Sequence, residues 1–421
     1  MAMTDWNIVT RSLRSRWVST GLTVFTVAVA TGLLILLISM RHAGEDSFQR
    51  GTGNVQMLIS KEPGELASVL NSMFYAQAPG NPILMSEFES LRSSYPFAWT
   101  VATQLGDSFQ GSAVMGTELS FFESFEPANN EPWALAAGAY FEKPFEVVVG
   151  AIAAKTHKLS PGDTITLDHG DTKVGGHHHD EFRFTIVGIL EPSATAHDRA
   201  LFVSLESSWV IHAHDRREVE MGHAHGHFET TVDDVIDSDR KITGIYASIG
   251  KRKAAMVQVL ASLRSDPNWT IANPATTVGS LFKIVSNIDQ ILLAMAFAVL
   301  CSSGISIMVA LYNSMEQRRR QIAVLRVLGA SKMRVFSMVL TESAIIGTLG
   351  GFAGLVLALG AGRLVSGLLQ ARVGIVVEPA LPIDGYLMIV LLTVGLSMVA
   401  GFIPAVIAYR TQVVRSLRPI G

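Results

Sequence analysis

The stretch VSTGLTVFTVAVATGLLILLISM, residues Val18–Met40, decides the fold class of this chain. It contains no charged residue, and as an α-helix it rises about 34 Å, enough to cross a hydrocarbon core of about 30 Å. Three further windows lack Lys and Arg, at residues 284–312, 335–359 and 386–408. Because lipid offers no partners for bare backbone N–H and C=O groups, each window must be helical. The sequence therefore predicts an α-helical membrane protein with four transmembrane helices.

Composition and length indicate that the first window is a retained anchor. The chain is 49% hydrophobic and 16% charged, with a mean hydropathy of +0.34. A cleaved signal peptide has an apolar run of about 7–15 residues, followed by a small-x-small cleavage site. The run at residues 18–40 is longer, and no such site follows in residues 41–46. We therefore predict that this window stays in the membrane.

The basic residues predict the orientation of the chain. Residues 1–17, 313–334 and 409–421 are rich in Arg and Lys, and they alternate with the windows as the positive-inside rule requires. We therefore place these three segments in the cytoplasm, so that both termini are inside. Residues 41–283 and the short loop 360–385 then lie outside.

Residues 41–283 form a predicted external domain of the α+β class. The domain holds 19 Lys and Arg against 30 Asp and Glu, a net charge of −11. Cys301 is the sole cysteine and lies in the second window, so the domain has no disulfide. Apolar and alternating runs predict strands at Glu146–Gly150, Thr164–Leu167, Phe182–Leu190, Ile242–Ile249 and Trp269–Ala272, and helices at Ala151–His157 and Lys253–Leu263.

Histidines are concentrated in this external domain, where eleven of the twelve lie between His157 and His227. The predicted metal ligands are the hairpin loop His177, His178, His179 and Asp180, together with His212, His214, His223, His225 and His227. Neutral imidazole with carboxylate suits Zn²⁺, or less selectively Ni²⁺ or Cu²⁺, and in an extended segment the last three imidazoles would share one face. Two other interpretations stay open: a solvated loop that binds metal only adventitiously, and a pH-sensing surface.

The segment YNSMEQRRRQIAVLRVLGASKMRVFSMVLTE, residues 312–342, joins the second and third windows. As a helix it offers an apolar side flanked by arginines, formed by Ile322, Leu325, Val327 and Leu328. Gly329 suits the left-handed position past a helix end, and Ser331 suits the N-cap of the next helix. From the residues alone, a segment lying on anionic lipid and a docking surface for a partner are equally good interpretations.

The same segment resembles the signature of the MacB/FtsX-like ABC transporter permeases, an E-x-R-x-x-x-I-x-x-L-R-x-L-G-A-S pattern after the second span. The matching residues are Glu316, Arg318, Ile322, Leu325, Arg326, Leu328, Gly329, Ala330 and Ser331. The resemblance extends over nearly the whole chain. It includes an amphipathic N-terminal stretch within residues 1–17 and the external-domain pattern EVVVGAIAAKTHKLSPGDTITL followed by FRFTIVGIL. The histidine segments depart from the family pattern, so the resemblance does not identify a substrate.

The resemblance implies a function and a set of partners. The chain would be the non-catalytic permease subunit in the bacterial cytoplasmic (inner) membrane, with the nine matching residues docking a separate ABC ATPase. That subunit would bind the ATP, since this chain has no Walker-type glycine loop. A homodimer or a heterodimer with a similar permease, a periplasmic partner or adaptor, and membrane lipid are further expected partners, and nucleic acid is not.

The expected function is mechanotransmission, in which ATP hydrolysis moves the external domain to export or extract a peptide, a lipoprotein or a metal-linked substrate. Two alternatives stay open: a zinc-responsive membrane sensor or regulator, and a scaffold that activates an envelope hydrolase. The absence of H-E-x-x-H argues against a metalloprotease.

The third window contains two overlapping G-x-x-x-G patterns, formed by Gly347, Gly350, Gly351 and Gly354. Small residues at this spacing let helices approach closely, either between subunits or within one chain. The same window carries a carboxylate, Glu342, near its cytoplasmic end. We expect Glu342 to pair with Arg334 or Arg326.

Overall fold

A computed structural model describes residues 5–128, 131–169, 177–178, 181–221, 229–372 and 381–410. These residues form the following α-helices: α1 (Asp5–Ser15), α2 (Trp17–Arg50), α3 (Glu65–Phe74), α4 (Met85–Ser94), α5 (Ser120–Ser124), α6 (Ala151–His157), α7 (Leu205–Glu220), α8 (Lys253–Arg264), α9 (Pro274–Val327), α10 (Lys332–Arg372) and α11 (Ile383–Arg410). Two short 3-10 helices cover Ala196–Arg199 and Val232–Asp234.

The same residues form these β-strands: β1 (Met57–Ser60), β2 (Ile83–Leu84), β3 (Trp99–Phe109), β4 (Ser112–Thr117), β5 (Leu135–Gly138), β6 (Glu146–Val149), β7 (Thr164–Ile165), β8 (Asp168–His169), β9 (His177–His178), β10 (Phe184–Leu190), β11 (Leu201–Ser204), β12 (Lys241–Ile242), β13 (Gly244–Ser248) and β14 (Thr270–Ala272). The chain divides into two compact units. One is a helical unit at the two ends of the chain, and the other lies within Glu45–Ile284.

The helical unit confirms the four predicted membrane helices. Within the described part of the chain, the helices long and apolar enough to cross a membrane are Trp17–Arg50, Gln290–Arg318, Lys332–Leu368 and Ile383–Arg410. These helices extend further than the Lys- and Arg-free windows. A charged residue marks where lipid ends, but a helix ends only where backbone or side chains break its hydrogen bonds.

The predicted external loop at residues 360–385 is therefore partly wrong. The described part of that range is helical up to Arg372 in α10 and again from Ile383 in α11. Residues 360–372 contain no proline to stop the helix, and Pro382 stands directly before α11.

The interior of the helical unit is apolar with a few hydroxyl groups. Two clusters of buried side chains hold the helices together, one around Val27, Ile307 and Leu311 and one around Leu34, Ile35 and Leu300. Thr31 of α2 and Thr393 of α11 share a hydrogen bond of 3.2 Å between their hydroxyl oxygens.

The second unit is built on a mixed β-sheet with the strand order β14-β1-β13-β3-β4-β11-β6-β10-β5. The β4–β11 and β6–β10 pairs are parallel, and the other neighbours in this order are antiparallel. Off this path, β7 pairs with β10, and β8 pairs with both β3 and β9. Strands β2 and β12 form a separate two-stranded sheet.

Both faces of the larger sheet are buried, which explains why its central strands read as unbroken apolar runs. In β6, Val148 belongs to one buried cluster, while Val147 and Val149 belong to another. Strand β11 alternates in the same way at Leu201, Phe202 and Val203. Successive side chains of a strand point to opposite faces, so a strand covered on both sides needs apolar residues at every position.

Most of the predicted elements of this unit are confirmed. The strand at Glu146–Gly150, the helix at Ala151–His157 and the helix at Lys253–Leu263 appear as β6, α6 and α8. On α8, Val259 and Leu263 belong to a buried apolar cluster. The predicted strand Thr164–Leu167 is shorter and ends at Ile165 in β7.

Candidate functional site

The turn between α9 and α10 consists of a C-terminal capping motif followed directly by the N-cap of the next helix. Ala330 N–H donates to Leu325 O at 3.0 Å and Gly329 N–H donates to Arg326 O at 3.2 Å, which is the hydrogen-bond pattern of a Schellman motif. Gly329 has φ +98°, a conformation that a residue with a Cβ rarely adopts. Ser331 Oγ accepts from Arg334 N–H at 3.1 Å and so caps α10. Both sequence predictions, at Gly329 and Ser331, are confirmed.

The predicted apolar side of this segment is divided between the interior and the surface. Ile322 and Leu325 are half-buried and line a cavity, whereas Val327 is 64% exposed and Leu328 is 78% exposed. Met333, in the first turn of α10, is also exposed. We call Val327, Leu328 and Met333 the apolar tip. Exposed apolar side chains grouped in this way are typical of a surface that binds a protein partner or a membrane.

An ion pair joins the two helices below the apolar tip. Arg318 Nη1 of α9 lies 3.8 Å from Glu342 Oε2 of α10, and both side chains are largely shielded from solvent. Arg318 is a partner that the sequence analysis did not name, because it lies on a different helix and sequence distance gives no sign of that contact. Pairing of Glu342 with Arg334 or Arg326 stays a prediction. Glu316, the first residue of the matched pattern, is exposed.

The residue that directly follows α1 is tied to the same region. Arg16 Nη2 donates to Ser314 O of α9 at 3.1 Å. A cavity of about 490 Å³ lies between α1, α9 and α10, with Arg11, Arg16 and Arg318 in its lining.

The glycines of α10 pack within the chain. A Cβ at Gly354 would lie 2.7 Å from Ala28 O of α2, and a Cβ at Gly350 would lie 2.5 Å from Val27 Cγ1. At Gly347 and Gly351 the neighbours are Ser397 and Val390 of α11. The sequence left open whether these glycines pack between subunits or within one chain. The structure shows packing within one chain at all four positions.

The predicted metal ligands are only partly within the described residues. His179, Asp180, His223, His225 and His227 lie outside them, and for His177 and His178 only the backbone is described, as strand β9 and not as a loop. β9 pairs with β8, Asp168 opposite His178 and His169 opposite His177. Among the residues that the structure describes, no group of three or more His, Cys, Asp or Glu side chains is arranged to hold a metal ion.

His212 and His214 lie on helix α7, where side chains two residues apart do not face each other. His214 is buried, with Nε2 3.0 Å from Glu181 Oε2 and Nδ1 3.1 Å from Thr230 Oγ1. Both ring nitrogens of His214 therefore have partners within the domain. Zinc binding by the histidine segments stays a prediction.

His197 is a titratable residue that the sequence did not single out. It is fully buried, and its Nδ1 lies 2.6 Å from Tyr75 Oη. Its ring packs edge-on against Phe125, with 5.2 Å between ring centroids. Burial lowers the pKa of His197 to about 3, so the imidazole is neutral in the folded domain at physiological pH.

Acid should therefore destabilise the external domain through His197. An unfolded histidine, with a pKa near 6.5, takes up a proton that the folded one refuses, so the free energy of unfolding falls as pH drops from about 6.5 towards 3, by roughly 1.4 kcal/mol per pH unit. We expect His197→Asn to be less stable than wild type at pH 8 but to lose less on acidification. Melting curves of the full chain at several pH values measure this. The exposed His42→Gln is the control, and an unchanged pH slope in His197→Asn would show that His197 is not responsible.

Two sequence families match the chain. The MacB-like periplasmic core domain matches residues 20–262, and the FtsX-like permease C-terminal domain matches residues 293–413. The chain belongs to the MacB/FtsX-like permeases. The first match covers more than half of the chain by itself, and the second contains the α9–α10 turn and the apolar tip.

One solved structure with similarity to the chain is the extracellular domain of YknZ, an ABC-type transporter from Gram-positive bacteria. It shares 8% sequence identity, with a TM-score of 0.27, and the match covers 52% of this chain and 99% of that one. No curated protein matches the sequence. The family assignment therefore rests on the two sequence-family matches.

Membership of the MacB/FtsX-like permeases has direct consequences. Such permeases are membrane subunits of ABC transporters and are not themselves catalytic, and the family implies an ABC ATPase as partner. The four apolar helices fit a multi-pass membrane protein.

Proposed function

We propose that this permease transmits the energy of ATP hydrolysis, carried out by a separate ABC ATPase subunit, to its external domain as mechanical motion. The observation that carries the proposal is the apolar tip. The Schellman turn and the Ser331 cap hold it in one conformation, and its side chains lie at the surface. A rigid turn can transmit a displacement of the turn to α9 and α10, whereas a flexible loop would change its own conformation and leave the helices in place.

The interior of the membrane helices supports motion over conduction. Residues 18–40, 291–315, 343–362 and 385–409 contain no Asp, Glu, Lys, Arg or His. Two hydroxyls of α11 bond within their own helix: Thr393 Oγ1 donates to Ile389 O at 3.0 Å and Ser397 Oγ donates to Thr393 O at 2.7 Å. A path for a polar substrate needs polar groups that face it. The candidate substrates are a peptide, a lipoprotein or a metal-linked molecule handled by the external domain.

The proposal predicts one ATP-binding protein among the partners of this chain. Purification of the tagged chain from gently solubilised membranes, followed by mass spectrometry, should recover an ABC ATPase in stoichiometric amount. The ATPase subunit alone and the ATPase subunit reconstituted with the permease should hydrolyse ATP at different rates. Recovery of the chain without any ATPase would contradict the proposal.

The proposal also requires the apolar tip to face the cytoplasm of a bacterial inner membrane, with both termini on the same side. In a Cys301→Ala background, Met333→Cys should react with a membrane-impermeant maleimide only after the membrane is opened. Val257→Cys, which replaces a similarly exposed residue of the external domain, should react in sealed right-side-out vesicles. The reverse pattern would overturn the orientation.

A further inference from the structure

The cavity between α1, α9 and α10 has two kinds of lining. The lining includes three arginines, Arg11, Arg16 and Arg318. It also includes apolar side chains, which we call the apolar wall: Val9, Met315, Ile322, Leu325, Val335, Met338 and Val339. At about 490 Å³, the cavity is in the size range of small-ligand pockets.

The charge of the lining favours an anion. Among the described side chains of the lining, Glu342 is the one carboxylate, and it pairs with Arg318 at 3.8 Å. Arg11 and Arg16 then leave the lining with a net positive charge. A guanidinium carries five N–H donors, so the bond from Arg16 to Ser314 O leaves donors for a ligand. Arginine is the side chain that best matches the oxygens of a phosphate group.

The position and the apolar wall favour a lipid over a free anion. Arg318 is the last residue of the span Gln290–Arg318, and Lys332 is the first residue of the next span, so the cavity lies where apolar helix gives way to charged helix. Basic pockets between membrane helices at this level bind anionic lipid headgroups. The apolar wall has no hydrogen-bond donors for a free phosphate, whereas it can bury the acyl chains of a lipid. The C-terminal residues 411–421 are basic and do not complement the cavity.

We propose that this cavity is a binding site for one anionic glycerophospholipid. Arg11 and Arg16 would hold the phosphodiester, and the acyl chains would lie against the apolar wall. Arg11 lies on α1 and Arg16 follows its last residue, while Ile322 of α9 and Val339 of α10 line the same cavity. The bound lipid would therefore fasten the N-terminal helix to the helices that bear the apolar tip. The proposal does not depend on an ATPase, and its test is made on the chain alone.

Native mass spectrometry of the purified full chain, titrated with phosphatidylglycerol, tests the proposal. We expect wild type to bind one phosphatidylglycerol molecule at a site whose affinity is at least tenfold higher than for phosphatidylcholine. Arg11→Gln/Arg16→Gln should weaken phosphatidylglycerol binding at least tenfold. The matched control Arg14→Gln/Arg320→Gln removes one exposed arginine of α1 and one of α9, neither of which lines the cavity. Its phosphatidylglycerol binding should stay within twofold of wild type.

A second variant separates loss of the site from loss of folding. Arg11→Lys/Arg16→Lys keeps the charge, so it should retain part of the affinity for phosphatidylglycerol. In a melting experiment, phosphatidylglycerol should raise the melting temperature of wild type more than that of Arg11→Gln/Arg16→Gln. Equal weakening in the control pair would assign the effect to general surface charge and overturn the proposal. So would equal binding of phosphatidylcholine, or full displacement of the lipid by an equal concentration of inorganic phosphate.

Discussion

A chain carrying Leu328→Asp is expected to enter the membrane and fold normally, yet to lose its ATPase partner on purification. Leu328 is 78% exposed, so the substitution removes little packing from the permease itself. In a complex that covers the apolar tip, the new carboxylate would be desolvated without a partner. Loss of a hot-spot residue near the centre of an interface costs about 2 kcal/mol or more, so with Leu328 in that role the affinity should fall about thirtyfold or further. The measurement is the ATPase-to-permease ratio after affinity purification from membranes.

Val257→Asp is the matched control for this experiment. Val257 is 69% exposed and lies on α8 of the external domain, so it receives the same change at similar exposure away from the apolar tip. Its ATPase ratio should equal that of wild type. Adding Arg326→Glu to Leu328→Asp should remove any residual association. If the Leu328→Asp permease keeps its full ATPase complement, the apolar tip is not the docking surface.

Gly354→Leu is expected to prevent the helical unit from packing. The Cβ alone would lie 2.7 Å from Ala28 O, 2.8 Å from Thr31 Cβ and 3.0 Å from Gly32 N. Two of these neighbours are backbone atoms of α2, which no change of rotamer can move aside. Overpacking of this kind costs about 1–3 kcal/mol and at times more. The folded fraction recovered in mild detergent and its melting temperature should both fall sharply.

Gly360 provides the control on the same helix. Nothing lies within 4 Å of a Cβ placed there, so Gly360→Leu should leave the melting temperature near that of wild type. Alanine sharpens the comparison because it favours helix over glycine by about 1 kcal/mol. Gly360→Ala should be neutral or stabilising, and Gly354→Ala should be destabilising. If Gly354→Leu melted like wild type and lost only its oligomeric state, the glycine would belong to a contact between subunits.

Local chemistry made much of this protein predictable. The four membrane helices follow from apolar length, since lipid forces the backbone to bond to itself. The helix end at Gly329 and the N-cap at Ser331 were predictable because each depends on the residue type at a single position of the chain. Strand β6 and helix α6 were found in the same way, from a short apolar run and the residues that follow it.

The paths of the long helices were less predictable. Windows without Lys and Arg mark the bilayer and not the helix ends, so residues 313–327 and 360–372 proved to be continuations of α9 and α10. The surroundings of His214 and His197 were also not readable from the sequence, because their partners Glu181 and Tyr75 belong to other parts of the fold.

The sequence by itself determined the family, the membrane helices and the position of the turn that bears the apolar tip. Only the tertiary structure decided that Leu325 faces inward while Leu328 faces solvent, that Arg318 pairs with Glu342, and that Gly354 meets the backbone of α2. The physical reason is the range of the interactions. Hydrogen bonds within a helix join residues four apart, whereas packing and ion pairing join residues that the chain separates by tens or hundreds of positions.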